Sequence, residues 1–212
     1  MFDDLLPADF AVEWGDPGQP SLPLFPEEQA LVATAVEKRR LEFARGRQCA
    51  RAALRRLGLP DTPLLTGRER EPLWPSDVVG SITHTSGMCL AAVARRERYT
   101  GVGIDVEPAS PLEPRLARRV ATEVEMNALG SMAPLLAARV IFSAKESFYK
   151  CQFYLSRQFL DFDAVEIELD ARGDFSLRLL VDAGPLAAGT RFRGRWRQTD
   201  GFLCTAMFLA SA

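Results

Sequence analysis

An apolar segment that ends in two carboxylates, Gly101-Val102-Gly103-Ile104-Asp105-Val106-Glu107-Pro108, is the first part of the sequence whose residues could do chemistry. In a strand, side chains two positions apart point to the same face, so Asp105 and Glu107 would be directed at one place. Paired hard oxygen ligands suit Mg²⁺, which takes phosphate oxygens as further ligands. Two acids at an exposed strand end give the same pattern without a metal, and motifs this short often arise by chance. From this segment alone both interpretations stay open.

A second group of charged residues lies in Phe142-Ser143-Ala144-Lys145-Glu146-Ser147-Phe148-Tyr149-Lys150, which we predict to be helical. Glu146 and Lys150 are four residues apart, a spacing that on an exposed helix gives an ordinary stabilising ion pair. Aromatic residues surround them, which indicates a helix covered on much of its circumference. Because unpaired buried charges are costly, Glu146 is a candidate third metal ligand, and Lys145 and Lys150 are candidate phosphate-binding groups.

The one histidine of the chain lies in Gly80-Ser81-Ile82-Thr83-His84-Thr85-Ser86, at the end of a predicted strand. A single histidine excludes chemistry that needs two, such as HExxH zinc hydrolysis. A serine hydrolase is disfavoured because the sequence has no Gly-x-Ser-x-Gly motif. His84 is therefore either a structural residue or a group at the edge of a phosphate site.

Basic residues are concentrated in one predicted helix. They are Lys38, Arg39, Arg40, Arg45, Arg47, Arg51, Arg55 and Arg56. Such a face is usually solvated or engages acidic partners, and arginine also binds phosphates with bidentate geometry. The formal net charge is only −2, with 26 basic and 28 acidic residues, so direct nucleic-acid binding is disfavoured. The sequence also lacks the Gly-Lys-Ser/Thr signature of a P-loop.

Helices precede antiparallel strands twice along the chain, which predicts an α+β protein with two architecturally similar halves. Pro108, Pro111 and Pro114 form a predicted linker, so the half-domains are expected at residues 1–107 and 108–212. The predicted elements are a strand at 10–14, a helix over 26–57 with a candidate break before Glu37, strands at 78–84, 87–95 and 100–107, helices at 121–129 and 134–154, and strands at 165–170, 175–182, 190–198 and 202–209.

Composition and cysteine usage favour a cytoplasmic protein. Hydrophobic residues make up 47% and charged residues 25% of the chain, which is typical of a soluble globular protein. The four cysteines lie far apart without a Cys-x-x-Cys pair, unlike a zinc ribbon or a disulfide scaffold. The N-terminus begins with acids where a signal peptide carries basic residues. No apolar run approaches the ~20 residues that span a bilayer, so we expect no membrane partner.

Taken together, these segments resemble one known family. The order of the arginine-rich helix, Ser81-Ile82-Thr83-His84, Gly103-Ile104-Asp105-Val106-Glu107 and Ala144-Lys145-Glu146-Ser147-Phe148-Tyr149-Lys150 is similar to that of Sfp-type 4′-phosphopantetheinyl transferases. The similarity is greatest to the branch of the enterobactin-synthase transferase and the PptT-like enzymes. Further likenesses extend it over nearly the whole chain, at Lys38-Arg39-Arg40-Leu41-Glu42-Phe43, Arg47-Gln48-Cys49-Ala50-Arg51, Glu71-Pro72-Leu73-Trp74-Pro75 and Arg193-Gly194-Arg195-Trp196.

The resemblance implies an enzyme of the holo-acyl-carrier-protein synthase type. Its fold would be two pseudo-symmetric α/β half-domains with the active site at their interface, and the family is usually monomeric. The enzyme would transfer the 4′-phosphopantetheine arm of coenzyme A (CoA) to a serine of an apo acyl, peptidyl or aryl carrier protein and release adenosine 3′,5′-bisphosphate. Such carriers serve fatty-acid, polyketide or nonribosomal peptide synthesis.

Carried over position by position, the resemblance assigns roles to single residues. Asp105, Glu107 and Glu146 would hold Mg²⁺, with Mn²⁺ as an alternative. Arg39, Arg47, His84, Lys145 and Lys150 would contact the phosphates of CoA, and Thr83 would line the nucleotide site. Glu146 and Lys150 would be the catalytic residues, with Glu146 as the base that takes the proton of the incoming serine; a metal-bound water is the competing base.

One departure from the family pattern lies in the connector. Relatives have a lysine where this chain has Thr66, and Arg68 or Arg70 could replace its charge. The resemblance also places the carrier-binding surface between Pro108 and about residue 129. Five apolar residues there either contact the carrier or pack inward: Leu116, Val120, Val124, Met126 and Leu129.

Two other functions stay open. The first is a non-catalytic module of the same fold that binds CoA or carrier proteins without turnover. The second, more remote, is another Mg²⁺-dependent phosphotransferase that acts on a nucleotide.

Overall fold

The computed structural model describes residues 4–20, 22–128 and 130–211. A short 3-10 turn, Phe162–Ala164, precedes the strands of the second half. The helices and strands are, in chain order, β1 (Ala11–Gly15), α1 (Pro26–Leu31), α2 (Glu37–Arg56), β2 (Val78–Thr85), β3 (Met88–Arg95), β4 (Tyr99–Pro108), α3 (Pro114–Val120), α4 (Glu123–Asn127), α5 (Pro134–Ser156), β5 (Val165–Leu169), β6 (Asp174–Leu179), β7 (Arg191–Thr199) and β8 (Phe202–Ala210).

Two antiparallel sheets carry the fold. One has three strands in the order β1-β3-β2, and the other has five in the order β4-β8-β7-β6-β5. Helix α2 packs on β1 and β3 of the first sheet, and helix α5 packs across β4 and β8 of the second. The predicted α+β class, with a long helix and antiparallel strands in each half, is confirmed.

Helix α5 is fixed in place by one apolar face. Ala137, Ile141, Ala144 and Phe148 recur at spacings of three and four residues, and all four are buried in the core with strands β5 to β8. Burying a large apolar side chain contributes about 1.5–3 kcal/mol. This face therefore sets the rotation of α5, and with it the direction in which its polar residues point.

Two glycines allow α5 to lie directly on β4. A Cβ atom at Gly103 would come 1.7 Å from the carbonyl oxygen of Ser147, and one at Gly101 would come 2.6 Å from that of Cys151. Any side chain at these positions would push the helix away, because the interior has no space to absorb it. The close approach brings the end of β4 beside the polar residues of α5.

The proline-rich segment contains a helix that the sequence analysis missed. Pro114 is the first residue of α3, where its missing N–H costs nothing. Glu113 caps the helix, with its carboxylate accepting from the N–H groups of Arg115 and Leu116 at 2.9 Å each. The predicted helix over 121–129 is also too long, since α4 begins only after its cap Thr122. The error arose because prolines that start a helix resemble those of a linker.

The break before Glu37 is confirmed, since α1 and α2 are separate helices. Strand β4 belongs to the predicted first half, yet its hydrogen-bonded neighbour is β8 of the second half. It also packs on β2. The division at residues 107 and 108 therefore stays a prediction. Within the described parts of the chain, every helix is too short or too polar to cross a membrane.

Candidate active site

A cavity of about 400 Å³ opens between the two halves of the chain. Ser81 and Ile82 of β2 line it from the first half, and Glu146 and Lys150 of α5 line it from the second. Much of the remaining wall is apolar or aromatic and comprises Tyr149, Phe153, Tyr154, Phe159, Leu160 and Phe162. The cavity thus combines two of the predicted catalytic residues with a surface suited to an uncharged ligand portion.

Asp105 lies at the end of β4 and is only 5% exposed. Its Oδ1 accepts hydrogen bonds from Lys150 Nζ at 2.6 Å and from Thr83 Oγ1 at 2.9 Å. Its Oδ2 accepts from Ser143 Oγ at 2.9 Å. A buried carboxylate is costly without such partners, so these contacts both satisfy Asp105 and fix its orientation.

Lys150 and Glu146 are one helical turn apart on α5. Lys150 Nζ also donates to the carbonyl oxygen of Ile104 at 3.2 Å. Burial raises the pKa of Glu146 above its ordinary value of 4.5; the Lys150 ammonium opposes this rise and the charge of Asp105 adds to it. Glu146 is therefore a better proton acceptor than an exposed glutamate.

Glu107 follows Asp105 by two residues and is partly buried. Arg139 Nη1 donates to its Oε2 at 2.7 Å, and Arg139 also donates to the carbonyl oxygens of Ser110 and Pro111. Burial raises the pKa of Glu107; the charge of Asp105 adds to this, and Arg139 opposes it. Because Asp105 raises the pKa of both glutamates, the three predicted metal ligands lie in one electrostatic neighbourhood.

Arg39 and the partly exposed His84 lie in contact at the end of β2, and we call the two residues the cationic group because Arg39 carries a charge and His84 can accept one. Arg39 Nη1 lies 2.7 Å from His84 Nε2, and His84 Nδ1 lies 3.6 Å from Glu42 Oε2. Burial lowers the pKa of His84 below its ordinary 6.5; Glu42 opposes this, and the charge of Arg39 adds to it. A neutral His84 whose Nε2 accepts from Arg39 and whose Nδ1 carries the proton is consistent with both contacts. A phosphate placed here would meet Arg39 and could also stabilise the imidazolium.

Arg47 is buried in α2. Its Nε donates to the carbonyl oxygen of Leu64 at 2.7 Å, and its guanidinium lies 4.2 Å from the centre of the Phe43 ring. Burial lowers the pKa of Arg47 to about 10; Glu28 opposes this, and the charge of Arg39 adds to it. Arg47 is still charged at neutral pH, so Arg39 and Arg47 together make this side of the fold attractive to an anion.

The chain matches two family models that together cover most of its length. Residues 27–94 match the 4′-phosphopantetheinyl transferase N-terminal domain, and residues 101–200 match the 4′-phosphopantetheinyl transferase superfamily. The 4′-phosphopantetheinyl transferase Svp of Streptomyces mobaraensis is 46% identical over 203 residues, which covers 92% of this chain and 82% of that protein. The chain belongs to the 4′-phosphopantetheinyl transferase superfamily. The resemblance seen in its motifs is confirmed.

Two further relatives carry related names. The 4′-phosphopantetheinyl transferase PptT of Mycobacterium tuberculosis is 38% identical over 218 residues, covering 99% of this chain and 94% of that protein. Enterobactin synthase component D of Salmonella typhimurium is 33% identical over 177 residues, which covers 81% of this chain and 73% of that protein. The superfamily assignment thus rests on nearly the full length of the chain.

The predicted metal ligands of this superfamily member fit a hard divalent cation by donor type, since all three are carboxylates. Burial is the main cause of the raised pKa values of Glu107 and Glu146, and the charge of Asp105 adds to both. Among the described residues, however, no group of three or more His, Cys, Asp or Glu side chains is gathered closely enough to hold a metal. Lys150 pairs with Asp105 and Arg139 pairs with Glu107 instead.

Lys145 does not reach the cavity, which corrects its predicted contact with phosphate. Its side chain is 2% exposed, and its Nζ donates to the carbonyl oxygens of Val120 at 2.7 Å and Phe162 at 2.8 Å. It also lies 3.4 Å from Glu125 Oε1. The ammonium therefore ties α3, α4 and the 3-10 turn to α5, with its donors used within the protein.

Thr83 is also placed differently from its predicted role at the nucleotide site. It is buried and donates a hydrogen bond to Asp105, so it orients this carboxylate and does not face the ligand itself. In the connector, Thr66 forms an isolated bridge with Pro72, and Arg70 lines the cavity while Arg68 is exposed. Of the two candidate replacements for the missing lysine, Arg70 is the one that the structure brings to the site.

The apolar residues predicted to bind a carrier protein divide into two groups. Val120 and Met126 are buried in the core around α5, and Leu116 packs partly against it. Val124 is 80% exposed, and Leu129 lies outside the described residues. Of the two alternatives, Val120 and Met126 pack inward, because α3 and α4 turn these side chains toward α5.

Sequence reasoning missed three residues that hold the site. Ser143 and Thr205 support Asp105 from α5 and β8, and Arg139 holds Glu107. Ser143 could have been found, because it stands three residues before Glu146 and seven before Lys150, on the same helix face. The contribution of Thr205 depends on the pairing of β8 with β4 and had no local signal.

Proposed function

We propose that the chain transfers the 4′-phosphopantetheine arm of CoA to a serine hydroxyl of an apo carrier protein, with Mg²⁺, and releases adenosine 3′,5′-bisphosphate. The observation that carries this proposal is the pairing of Lys150 with Asp105 beside Glu146, at a cavity whose remaining wall is largely apolar. Acids, a cation and an apolar wall are what a pyrophosphate joined to a long uncharged arm requires.

Binding of CoA is divided between the cationic group and the cavity. Arg39, His84 and Arg47 carry or accept positive charge on one side, and Lys150 offers an ammonium that is 29% exposed at the cavity itself. These groups would contact the 3′-phosphate and the pyrophosphate. The pantetheine arm, which has no charge, would enter the aromatic part of the cavity at Phe153.

Asp105, Glu107 and Glu146 would hold the Mg²⁺. The metal, when bound, would polarise the pyrophosphate and offset the charge that develops on it. For this, Lys150 and Arg139 would release part of their present contacts with Asp105 and Glu107. Lys150 would then be free to donate to a phosphate oxygen.

The chemical step needs a base, and we assign this role to Glu146. The serine oxygen of the carrier forms a bond to phosphorus while the bond from that phosphorus to the bisphosphate oxygen breaks. The proton of the serine would pass to Glu146, whose pKa burial raises above its ordinary value in the free protein. Lys150 stabilises the charge on the transferred phosphate. Most of the rate then comes from positioning and electrostatics.

The partner is an acyl, peptidyl or aryl carrier protein, and the enzyme acts as a monomer in the cytoplasm. The exposed Val124 of α4 and the exposed arginines of α3, Arg115, Arg118 and Arg119, offer an apolar contact beside positive charge. A carrier with an acidic surface around its serine would fit this face.

The test follows the small product. Purified chain is incubated with CoA, Mg²⁺ and an apo carrier of each class, and adenosine 3′,5′-bisphosphate is measured by chromatography. Release that requires both carrier and Mg²⁺ supports the proposal. Tight binding of CoA in calorimetry without any release identifies a non-catalytic binding module, and binding of ATP in place of CoA identifies a different phosphotransferase.

A further inference from the structure

The carboxylate of Asp105 is held by buried hydroxyl groups from three elements that are distant in sequence. We call Thr83 of β2, Ser143 of α5 and Thr205 of β8 the hydroxyl clamp. Their exposures are 4%, 0% and 1%. Thr83 and Ser143 contact Asp105 directly, at 2.9 Å each, and Thr205 Oγ1 lies 3.0 Å from Ser143 Oγ.

The direction of the protons in the clamp follows from the acceptor. An ionised carboxylate only accepts hydrogen bonds, so Ser143 must donate its one proton to Oδ2 of Asp105. Ser143 Oγ can then only accept from Thr205, whose single hydroxyl proton is shared between Ser143 Oγ at 3.0 Å and the Ser143 carbonyl oxygen at 2.8 Å. Thr205 therefore holds Ser143 at both its hydroxyl and its backbone.

The same direction holds on the other side of the carboxylate. Thr83 donates to Oδ1 of Asp105 and accepts from the backbone N–H of Val106 at 3.3 Å. Two chains of donors thus converge on one carboxylate, and successive hydrogen bonds of this kind polarise one another. This arrangement fixes both the position and the rotation of the Asp105 side chain.

The two oxygens of Asp105 are not equally engaged. Oδ1 accepts from both Thr83 and Lys150, which uses its two lone pairs. Among the described residues Oδ2 accepts only from Ser143, so it keeps one lone pair. Oδ2 therefore has capacity for a further partner in the present arrangement, and Oδ1 gains the same capacity when Lys150 releases it.

We propose that Thr83, Ser143 and Thr205 are positioning residues that fix the orientation of Asp105 for binding of the divalent cation. This inference rests on the metal-dependent transfer proposed above. Groups that orient metal-binding carboxylates typically change metal affinity by about 10–100-fold when removed. The clamp should therefore control how tightly the cation binds, more than how tightly CoA binds.

The experiment compares variants that differ by one hydroxyl. Thr83→Val removes the hydroxyl at nearly constant shape, whereas Thr83→Ser keeps it. Ser143→Ala removes the second direct donor. Its matched control is Ser147→Ala, since Ser147 is equally buried on α5 but, within the described part of the chain, its hydroxyl bonds only to the carbonyl oxygen of Ala144. Mn²⁺ is titrated into each full-length chain saturated with CoA, and free Mn²⁺ is measured by electron paramagnetic resonance. Thermal unfolding of each variant checks that it is folded.

The expected result is a rise in the Mn²⁺ Kd of about tenfold or more for Thr83→Val and Ser143→Ala. Thr83→Ser should restore most of the affinity, and Ser147→Ala should match the wild type. The Kd for CoA without metal should stay within about threefold of the wild-type value in every variant, since each loses at most one uncharged hydroxyl that is buried and does not face the cavity. The Mg²⁺ concentration for half-maximal transfer should rise in parallel while the KM for CoA does not.

Three outcomes would overturn the inference. Folded Thr83→Val and Ser143→Ala proteins that bind Mn²⁺ as the wild type does would show that the clamp has no role in metal binding. Equal loss in Thr83→Ser and Thr83→Val would assign the effect to packing. A wild-type chain that binds CoA but no Mn²⁺ would overturn the proposed metal site, and the inference with it, whereas normal wild-type binding beside unaffected variants overturns the inference alone.

Discussion

Lys150 Nζ lies 2.6 Å from Oδ1 of Asp105, so the last charged residue of the α5 motif closes directly on the acid of β4. The contact depends on Gly103, which lets α5 approach β4 closely enough for the two side chains to meet. A helix motif and a strand motif that are about 40 residues apart in sequence thereby become one site. The pair is partly open to the cavity, which is where a phosphate would compete for the ammonium.

Lys150→Met should remove most of the transfer activity. The substitution keeps the length of the side chain and removes the donor expected to stabilise the transferred phosphate, so kcat should fall by about 10²–10³-fold. Steady-state kinetics with CoA and an apo carrier measures this. The Lys150→Arg variant is the control for charge, and a Lys150→Met protein with kcat within about threefold of the wild type would contradict the assigned role.

Glu146→Gln should stabilise the free protein while it inactivates the enzyme. Burial raises the pKa of Glu146 in the folded state, so the native chain binds this proton more tightly than the unfolded chain does. The wild type then loses stability from this group as the pH rises above about 4.5 toward the raised pKa. The neutral amide avoids that loss, so the Tm of Glu146→Gln at pH 7 should be higher than that of the wild type.

Thermal unfolding of wild type and Glu146→Gln at several pH values gives the measurement. The gain should be present at pH 7 and should shrink as the pH falls toward 4. A variant that is less stable than the wild type at pH 7 would mean that the Glu146 carboxylate is well solvated or paired in the free protein.

CoA binding should be linked to protonation of His84. In the free protein burial lowers the pKa of His84 below 6.5, with Arg39 adding to this; the unfolded chain then binds the proton more tightly, so this group lowers stability as the pH falls below about 6.5. A bound phosphate would favour the imidazolium and cause uptake of up to about one proton near that pH. Calorimetry in buffers with different ionisation enthalpies measures this uptake.

His84→Gln is the reference for that experiment, because phosphate monoesters also titrate near ~6. The wild type should take up more protons than His84→Gln at pH 6.5. Equal proton uptake by the two proteins would place the phosphates of CoA away from His84.

Lys145→Met should destabilise the fold and leave CoA binding nearly unchanged. It removes the charged partner of the buried Glu125, which keeps hydrogen bonds from Thr122 and Ile167, so the loss should lie below the roughly 3–5 kcal/mol of an uncompensated buried charge. The double variant Lys145→Met/Glu125→Gln should recover part of that loss. Urea unfolding gives the stability and calorimetry the Kd for CoA. If the Kd for CoA rose about tenfold or more without loss of stability, the result would show that Lys145 contacts CoA.

The contrast between Lys145 and Lys150 shows what the sequence could and could not reveal. Glu146 and Lys150 share a helix face, and Lys145 lies about 100° away from Glu146 around the helix. The helical repeat of α5 therefore directs Lys145 and Lys150 to different sides of the helix, although the two residues are close together in the sequence motif. The carboxylates, the histidine and the main elements were predictable, because local spacing and turn residues determine them.

Other parts of the site depend on contacts between distant segments. Thr205 reaches the site because β8 pairs with β4, and no local pattern near Thr205 predicts that pairing. Arg139 holds Glu107 across the loop that follows β4. The helix at Pro114 was missed for a different reason, since the same residue can end a linker or start a helix.

Transfer of phosphopantetheine at this cavity is tested most directly by the intact mass of an apo carrier protein. The carrier is incubated with CoA, Mg²⁺ and either the wild-type chain or Asp105→Ala, and its mass is then measured. We expect the added mass of one phosphopantetheine with the wild type and none with Asp105→Ala, although both are folded. An unchanged mass for acyl, peptidyl and aryl carriers alike, or equal modification by Asp105→Ala, would contradict it.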